Sequence, residues 1–454
     1  MMAKSQDDQA LWSAQFLGDA QLDATIALPA SKSMMARALI LASIAKSATI
    51  IKRPLKSRDS LLMRDGLRAL GIQIDEMKVD EEVAWRVTPN RFQGPATIDV
   101  GNAGTVMRFL PPLAALARGE VRFDGDVRSH ERPLRPVIEA LESLGVEIDH
   151  GGRFALPMTI NGKGSLAGGE VEIDASASSQ FISALLLAAP AMSGDLTIRH
   201  TGRSLPSLPH IEMTIAMLKD RGILVDVDST GKTWKVKKSS DLKDMDQITI
   251  EPDLSNAAPF LAAALLLGGR VRIKDWPIRT TQAGDSLRSI FTQMGGTFAR
   301  VGNDLEINAL GREELRGIDI DLGEVGELTP TIAGLAAFAK SKSYLRNIGH
   351  LRLHETDRLS ALAIELRKIG AEVVEHPEAL EITPVLGRNS GSESEELVIE
   401  SYDDHRMATL GALFGLVIKN VKVRNIATTA KTIPDFPALW NELLQSPSIK
   451  GIGK

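Results

Sequence analysis

The chain has 454 residues, of which 43% are hydrophobic, 24% charged and only 4% aromatic. This is the composition of a globular protein, and the length favours two large domains over a single core. The formal net charge of −5 argues against a nucleic-acid partner, because affinity for a phosphate backbone requires a basic face. The absence of cysteine excludes disulfides, thiolate catalysis and cysteine-ligated metals, and it fits a cytoplasmic protein. No apolar stretch is long enough to cross a bilayer, so no membrane partner is expected.

One short phrase, an amphipathic helix that ends in glycine and is followed by a strand, recurs along the chain. Its copies read GLRALGIQI, ALESLGVEI, MLKDRGILV, IFTQMGGTF and ELRKIGAEV, and they lie about 75 residues apart. Glycine supplies the left-handed conformation in which many helices end. A sixth helix, PALWNELL, is expected at 437–444. The glycines that we predict to stop the other five helices are Gly71, Gly145, Gly222, Gly295 and Gly370.

A second phrase, a polar cluster followed by an Ala/Leu-rich helix, alternates with the first. Its copies read SKSMMARALILAS, GNAGTVMRFLPPLAAL, SASSQFISALLLAAP, LSNAAPFLAAALLLG, GELTPTIAGLAAFAK and DDHRMATLGALFGLV. These helices are apolar on nearly every side, so we expect them at the centre, inside the amphipathic helices and the strands. Six copies of each phrase predict an α/β fold of six similar repeats, three in each domain. The expected domains are residues 30–250, and residues 1–29 together with 251–454.

The polar residues at the starts of the central helices are candidates for an anion site. A helix N-terminus offers free N–H groups and a positive dipole. Lys32 and Arg37 in PASKSMMAR oppose that dipole unless an anion is bound there. Gly104 in GNAGTVMR permits a ligand to approach the backbone, although close helix packing would equally require glycine. Ser178 and Ser179 suit a phosphate ester, but either could simply cap a helix.

The second half of the chain carries charged clusters in GELTP, HETDR, DDHRM and TTAKTIPDF. We interpret Asp357 and Asp403 as helix caps, because acids at a helix start are commonly caps and dipole partners. Arg358 and Arg406 have no comparable structural role, which favours a binding function for them. HETDR lacks the HExxH spacing of a zinc site, and the chain has no P-loop of the GxxxxGK[ST] type. Neither a metal nor nucleotide hydrolysis is therefore predicted. The acidic segment at 391–396 is expected to be a solvated loop, and 446–454 a frayed tail.

Taken in order and spacing, PASKSMMAR, GNAGTVMR, RSHERP, SSQF, HETDRL, YDDHRM and AKTIPDF resemble the 5-enolpyruvylshikimate-3-phosphate (EPSP) synthase family over residues 25–440. The resemblance implies the two-domain inside-out α/β barrel of enolpyruvyl transferases, with three βαβαββ repeats per domain and substrates bound between the domains. It implies transfer of the enolpyruvyl group of phosphoenolpyruvate to the 5-hydroxyl of shikimate 3-phosphate, with release of phosphate. It implies no cofactor, small-molecule partners only, and a monomer.

The resemblance also implies a role for individual residues. By family position Glu327 accepts the hydroxyl proton, Glu355 protonates C3 of the enolpyruvyl group, and Lys32 stabilises the developing charge. The residues implied to bind shikimate 3-phosphate are Lys32, Ser33, Arg37, Ser178, Ser179, Gln180, Ser207, Glu327 and His354. Those implied to bind phosphoenolpyruvate are Lys32, Gly104, Arg128, Gln180, Arg358, Arg406 and Lys431. Those implied to orient the others are Asp59, Asn102 and Asp253.

Several positions depart from the family pattern. Glu327 stands where many members have Asp, and His354 where many have Lys. His210 replaces a common Tyr, and Phe109 a frequent Pro. Two other functions remain open on the residues alone. A UDP-N-acetylglucosamine enolpyruvyl transferase would share the fold, although the lack of cysteine disfavours it, and a non-catalytic repeat protein that binds phosphometabolites would not need Glu327 or Glu355.

Overall fold

The computed structural model describes residues 10–238, 242–385 and 396–445. Residues 391–395 of the expected acidic loop and the expected tail at 446–454 lie outside the described residues. The chain divides into two compact units, which we call unit 1 and unit 2. Unit 1 comprises Met1–Pro29 and Pro252–Lys454, and unit 2 comprises Ala30–Glu251. The second of these boundaries falls one residue after the one expected from the sequence.

Helices and strands alternate along most of the described chain. The strands are β1 (Leu11–Ser13), β2 (Leu22–Ile26), β3 (Thr49–Lys52), β4 (Gln73–Val79), β5 (Glu82–Thr88), β6 (Ala96–Asp99), β7 (Arg118–Asp124), β8 (Glu147–Asp149), β9 (Met158–Lys163), β10 (Gly169–Ile173), β11 (Leu196–His200), β12 (Val225–Val227), β13 (Thr233–Val236), β14 (Gln247–Thr249), β15 (Gly269–Ile273), β16 (Thr297–Val301), β17 (Asp304–Ala309), β18 (Asp319–Asp321), β19 (Ser343–Arg346), β20 (Glu372–Glu375), β21 (Leu380–Thr383), β22 (Leu397–Ile399) and β23 (Val421–Arg424). The helices are α1 (Lys32–Ser43), α2 (Arg58–Ala69), α3 (Gly104–Ala115), α4 (Arg135–Ser143), α5 (Gln180–Ala188), α6 (Pro209–Asp220), α7 (Ala258–Leu267), α8 (Leu287–Gln293), α9 (Thr329–Ala336), α10 (Arg358–Lys368), α11 (His405–Val417) and α12 (Phe436–Gln445). Among the described helices, none has both the length and the apolar character needed to span a membrane.

Each repeat forms its own small sheet. The second repeat runs β6, α3, β7, α4, β8, β9, and its sheet has the order β6-β7-β9-β8. The third and fifth repeats give the same pattern in β10-β11-β13-β12 and β18-β19-β21-β20. The first two strands of each sheet are parallel and the others antiparallel. These repeats have the βαβαββ order that the family resemblance implies.

The remaining three sheets take one strand from a distant part of the chain. In unit 2, β14 pairs with β3 in parallel, with Ile248 opposite Ile51. In unit 1, β2 pairs with β15 in parallel, with Ala24 opposite Val271. The sixth sheet, β1-β23-β22, has three strands and includes β1 from the N-terminal segment. Each of these pairings joins strands of the same unit, and β2 belongs to unit 1 although the whole of unit 2 separates it from β15 in the sequence.

The Ala/Leu-rich helices form the core of each unit. All residues of α3, α7, α9 and α11 are buried, as are Met35–Ser43 of α1 and Phe181–Ala188 of α5. The helices pack closely because small residues line their contacts: a Cβ on Gly334 would lie 2.5 Å from Cδ1 of Leu410. The expectation of central apolar helices is confirmed. A helix surrounded on all sides exposes polar groups only at its ends, which places candidate site residues there.

The five glycines predicted to stop the amphipathic helices all adopt a positive φ. Their φ values are 93° for Gly71, 83° for Gly145, 79° for Gly222, 115° for Gly295 and 93° for Gly370. This prediction is confirmed, because L side chains avoid this conformation and glycine does not.

Gly145 offers a test of this backbone effect. Nothing lies within 4 Å of a Cβ placed there, so substitution strains the backbone without a steric clash. We expect Gly145→Ala to lower the free energy of unfolding by about 1 kcal/mol, and Gly145→Asn by less, since Asn tolerates the left-handed region better. Equilibrium urea denaturation measures both. An alanine variant as stable as the wild type would contradict the role given to the glycine.

Candidate active site

Lys32 begins α1 and is held by a buried acid. Its Nζ lies 3.2 Å from Oδ2 of Asp59, which is in the first turn of α2. Ser31 caps α1 by accepting a hydrogen bond from the N–H of Met34. The lysine side chain is still 19% exposed, so the ammonium is oriented by Asp59 and remains accessible to a ligand. Asp59 therefore orients Lys32, as the family pattern implies for this position.

Arg37 lies beneath the start of α1 and is buried. Its Nε donates to Oγ1 of Thr214 at 2.8 Å, and its Nη1 donates to the carbonyl of Ser33 at 2.9 Å. Nη2 donates to the carbonyl of His210 at 2.9 Å, and the guanidinium faces the ring of Phe109 at 5.2 Å. Within the described residues Arg37 has no carboxylate partner, and burial lowers its pKa to about 9. This geometry favours support of the helix start over direct contact with a ligand, and contact with shikimate 3-phosphate stays a prediction.

Gly104 lies between two buried arginines. A Cβ at Gly104 would lie 2.8 Å from Nη2 of Arg132 and 3.2 Å from Nη1 of Arg108. Arg132 also donates to the carbonyl and the side chain of Asn102, and Arg108 donates to Oε1 of Gln180 at 3.0 Å. Nε of Arg132 is buried without a hydrogen-bond partner among the described residues. The glycine thus makes room for Arg132, which the sequence offers as a candidate in RSHERP, and for Arg108, which the sequence did not indicate.

The structure brings the predicted serines of unit 2 together. Ser178 Oγ accepts from the N–H of Gln180, at the first residue of α5. Ser179 precedes the helix, but its side chain makes no capping hydrogen bond. Its hydroxyl donates instead to the carbonyl of Ser207, at 3.0 Å. Ser207 has a φ of 56°, a left-handed conformation that turns the chain back towards α5.

Arg128, predicted to bind phosphoenolpyruvate, lies on an exposed 3₁₀ turn. Its Nη1 pairs with Glu131 three residues later, and its side chain is 43% exposed. Of the two arginines in RSHERP, Arg132 and not Arg128 lies at Gly104. The sequence could not distinguish them, because both flank the same turn. The binding role of Arg128 stays a prediction.

Glu327, in unit 1, lies on a 3₁₀ turn just before α9. Its Oε1 accepts a hydrogen bond from the hydroxyl of Ser255, and its Oε2 lies 3.9 Å from Nη2 of Arg406. Arg406 also donates to the carbonyl of Ser255 at 2.8 Å. The N-terminal ends of α7, α9 and α11 meet at these three residues. Asp253 accepts from the N–H of Asn256 and so orders the segment that carries Ser255.

Glu355 is buried among basic side chains. Lys431 Nζ donates to its Oε1, and Nη2 of Arg358 lies 3.1 Å from its Oε2. Nδ1 of His354 accepts from Nη1 of Arg358 at 3.2 Å, because a guanidinium can only donate. The proton of a neutral His354 is therefore on Nε2 in this arrangement. Glu355 thus contacts Lys431 and Arg358, and Arg358 in turn contacts His354.

Two sequence-based expectations for this region are wrong. Asp357 caps α10 as expected, but Asp404, and not Asp403, caps α11 by accepting from the N–H of Arg406. Arg358 also has a structural role that the sequence did not predict. Its Nε lies 2.7 Å from Oδ2 of Asp404, which is fully buried. Burial opposes the charge of Arg358, but Asp404 and Glu355 outweigh it and raise the pKa of the guanidinium.

His350 is a neighbour of the cluster that sequence reasoning missed. A Cβ on Gly326 would lie 2.6 Å from its Nε2, so the ring packs against Gly326, the residue that precedes Glu327. Nε2 is buried and has no hydrogen-bond partner among the described residues. Burial, and then the charge of Arg358, lower its pKa to about 4, so the ring is neutral at pH 7. Only the proximity of GHLRLHE to the HETDR motif could have pointed to it.

The two units thus offer different chemistry. In unit 2, Lys32, Arg37, Arg108 and Arg132 lie near hydroxyl and amide groups, and Asp59 is the acid that pairs with Lys32. Such a cluster suits an anion. In unit 1, three carboxylates are matched by three cations, which suits proton transfer to and from a bound anion. The carboxylates are Glu327, Glu355 and Asp404, and the cations are Arg358, Arg406 and Lys431.

The buried pair of Arg358 and Asp404 yields a stability prediction. Asp404→Asn retains a side chain that can cap α11 but removes the negative charge beside Arg358. We expect the free energy of unfolding to fall by about 3 kcal/mol, since the guanidinium stays buried with less compensation. Asp403→Asn is the matched control, because Asp403 is exposed. Equal losses for the two variants in urea denaturation would contradict the assignment.

Comparisons with known proteins identify the family. The sequence profile of EPSP synthase (3-phosphoshikimate 1-carboxyvinyltransferase) matches residues 17–440. A curated 3-phosphoshikimate 1-carboxyvinyltransferase from Kocuria rhizophila is 46% identical and covers 98% of both chains. An alternative among enolpyruvyl transferases is not favoured by these matches.

Solved structures establish the fold. An EPSP synthase from Acinetobacter baumannii superposes with a TM-score of 0.76 at 22% identity, covering 96% of this chain and 98% of that one. The enolpyruvyl transferase NikO from Streptomyces tendae gives a TM-score of 0.73 at 17% identity, covering 96% and 97%. These likenesses confirm the predicted α/β fold of the enolpyruvyl transferase type. Together with the profile and the curated relative, they show that the chain belongs to the EPSP synthase family.

Proposed function

We propose that this protein transfers the enolpyruvyl (1-carboxyvinyl) group of phosphoenolpyruvate to the 5-hydroxyl of shikimate 3-phosphate, releasing phosphate. This is the activity for which its 46% identical relative is named, and it belongs to the shikimate pathway to chorismate and aromatic amino acids. The observation that carries the proposal is the pair of carboxylates in unit 1, Glu327 and Glu355, each held against a cation. The reaction needs one group that takes a proton and one that gives a proton.

Glu327 is the group we assign to the 5-hydroxyl. The hydroxyl oxygen attacks C2 of phosphoenolpyruvate and loses its proton, and a carboxylate that is already ionised accepts it. Arg406 and Ser255 both stabilise the ionised form of Glu327. Glu327 is 26% exposed, so a substrate can reach it.

Glu355 is the group we assign to C3. Protonation of C3 accompanies the attack at C2 and gives a tetrahedral intermediate, from which phosphate leaves while C3 returns a proton. Lys431 donates a hydrogen bond to Glu355, so a proton can pass along that bond to the carboxylate and then to C3. Arg358 contacts the other oxygen of Glu355 and limits its rotation.

In this proposal Arg358 and Lys431 of unit 1 bind phosphoenolpyruvate, and unit 2 supplies further anion-binding groups. Ser178, Ser179 and Gln180 bind the phosphate ester of shikimate 3-phosphate, and Lys32 contacts both substrates. The backbone at Gly104 receives phosphoenolpyruvate with Arg108 and Arg132 beside it. Substrates with about five to six negative charges at pH 7 require such a concentration of cations in a chain of net charge −5. We also propose that the protein is a monomer and that it is cytoplasmic. The lack of cysteine supports the cytoplasmic location.

The proposal is tested by incubating the purified protein with phosphoenolpyruvate and shikimate 3-phosphate. Release of inorganic phosphate and formation of the enolpyruvyl ether are expected, and neither should occur if the acceptor is omitted. Phosphate release with UDP-N-acetylglucosamine, and none with shikimate 3-phosphate, would show that the protein is a UDP-N-acetylglucosamine enolpyruvyl transferase instead. No release with either acceptor would favour the non-catalytic alternative.

Glu327→Gln separates catalysis from binding. The amide keeps the shape of the side chain but accepts a proton poorly, so we expect kcat to fall by roughly 100-fold or more while KM changes little. Glu324→Gln is the matched control, since Glu324 lies three residues earlier and is exposed. Steady-state kinetics with both substrates give the two constants. A large rise in KM with an unchanged kcat would make Glu327 a binding residue.

A further inference from the structure

We propose that Ser255 is a positioning residue for Glu327, and the proposal rests on the function proposed above. The hydroxyl of Ser255 donates to Oε1 of Glu327, across 72 residues of sequence. Among the described residues, Glu327 is the one hydrogen-bond partner of this hydroxyl. Ser255 begins a 3₁₀ turn, but no side chain caps that turn, so capping does not explain the serine.

The backbone around Ser255 is fixed on several sides. Gln282, which is buried, accepts from the N–H of Leu254 at 3.1 Å and donates to the carbonyl of Pro252 at 2.9 Å. A Cβ on Gly284 would lie 2.4 Å from the nitrogen of Ser255, so glycine is required for this close packing. Arg406 donates to the carbonyl of Ser255 itself. The hydroxyl is therefore presented from a rigid support.

A rigid partner matters more for glutamate than for aspartate. Glutamate has one more rotatable bond than the aspartate common at this position in the family, and so more side-chain freedom is lost when it is ordered. Ser255 holds Oε1 of Glu327, and the other carboxylate oxygen, Oε2, lies 3.9 Å from Nη2 of Arg406. A general base acts efficiently only when it is held within hydrogen-bond reach of the proton it takes.

The hydroxyl also biases the protonation of Glu327, because a hydrogen bond donated to a carboxylate favours its charged form. Arg406 and Arg358 also act on Glu327, and His350 packs against the preceding residue, Gly326. Both arginines favour the charged form of Glu327, as Ser255 does. Removal of the hydroxyl should therefore make Glu327 easier to protonate without abolishing its charge at neutral pH.

Ser255→Ala tests the proposal by kinetics. We expect kcat to fall by about 10-fold, KM for both substrates to stay within about threefold, and the acidic limb of the kcat–pH profile to move up by about one pH unit. Ser255→Thr, which keeps a hydroxyl, should restore most of kcat. Ser343→Ala is the matched control, because Ser343 is buried in the same unit and its Oγ accepts from the N–H of Ile318. A profile for Ser255→Ala that superposes on the wild type would overturn the proposal.

A double-mutant cycle with Glu327→Asp distinguishes positioning from general destabilisation. The shorter aspartate does not reach Ser255 as glutamate does, so Ser255→Ala should lower kcat much less in the Glu327→Asp variant than in the wild type. Additive losses in the cycle would show that the two side chains act independently and would refute the coupling.

A third measurement does not depend on activity. In protein labelled with ¹³C at glutamate carboxyls, the Glu327 resonance is identified by its loss in Glu327→Gln and is titrated by NMR. We expect it to titrate at higher pH in Ser255→Ala than in the wild type. An unchanged titration overturns the role of Ser255 even if the enzyme is active. A shifted titration in a protein without transferase activity keeps the Ser255–Glu327 coupling and refutes the proposed function alone.

Discussion

The buried ion pair between Arg358 and Asp404 connects most of the site in unit 1. Arg358 is 2% exposed and Asp404 is fully buried, so neither charge is tolerable without the other. Asp404 also caps α11 and thereby fixes Arg406, which in turn contacts Ser255 and lies near Glu327. Arg358 contacts Glu355 and His354. One pair thus joins the proton-accepting and proton-donating sides of the proposed reaction.

The fold was more predictable from the sequence than the contacts within the site. Repeats, apolar helices and glycine stops are local patterns, because each follows from the preferences of a few consecutive residues. The ion pair of Arg358 with Asp404 joins residues 46 positions apart, and no local pattern reports it. The sequence predicts Asp403 as the cap of α11, but the helix begins one residue later. Tyr402 and Asp403 both adopt a positive φ, with values of 53° and 54°, and so cannot belong to the helix.

Local sequence context was also a poor guide to which arginines lie in the site of unit 2. Arg108 lies inside a helix whose other residues are all buried and, except for Thr105, apolar, so its sequence context indicates core packing. It reaches the site only because it extends to Gln180 at the start of α5, 72 residues later. Arg128 has the more conspicuous motif, yet it pairs with Glu131 on an exposed turn. The RSHERP motif indicates the turn that carries both arginines. Only the structure shows that the buried Arg132, and not the exposed Arg128, lies at Gly104.

The charge balance of unit 1 bears on how Glu355 can act as an acid. Lys431 and Arg358 both contact Glu355 and favour its ionised form, and an ionised carboxylate has no proton to give. In the proposed reaction an anionic substrate binds to those same two cations and competes with Glu355 for them. The competition weakens the interactions that favour the charged form, so the affinity of Glu355 for a proton rises as the substrate binds. The cations that suppress the acid in the free protein thereby make its protonation depend on the presence of phosphoenolpyruvate.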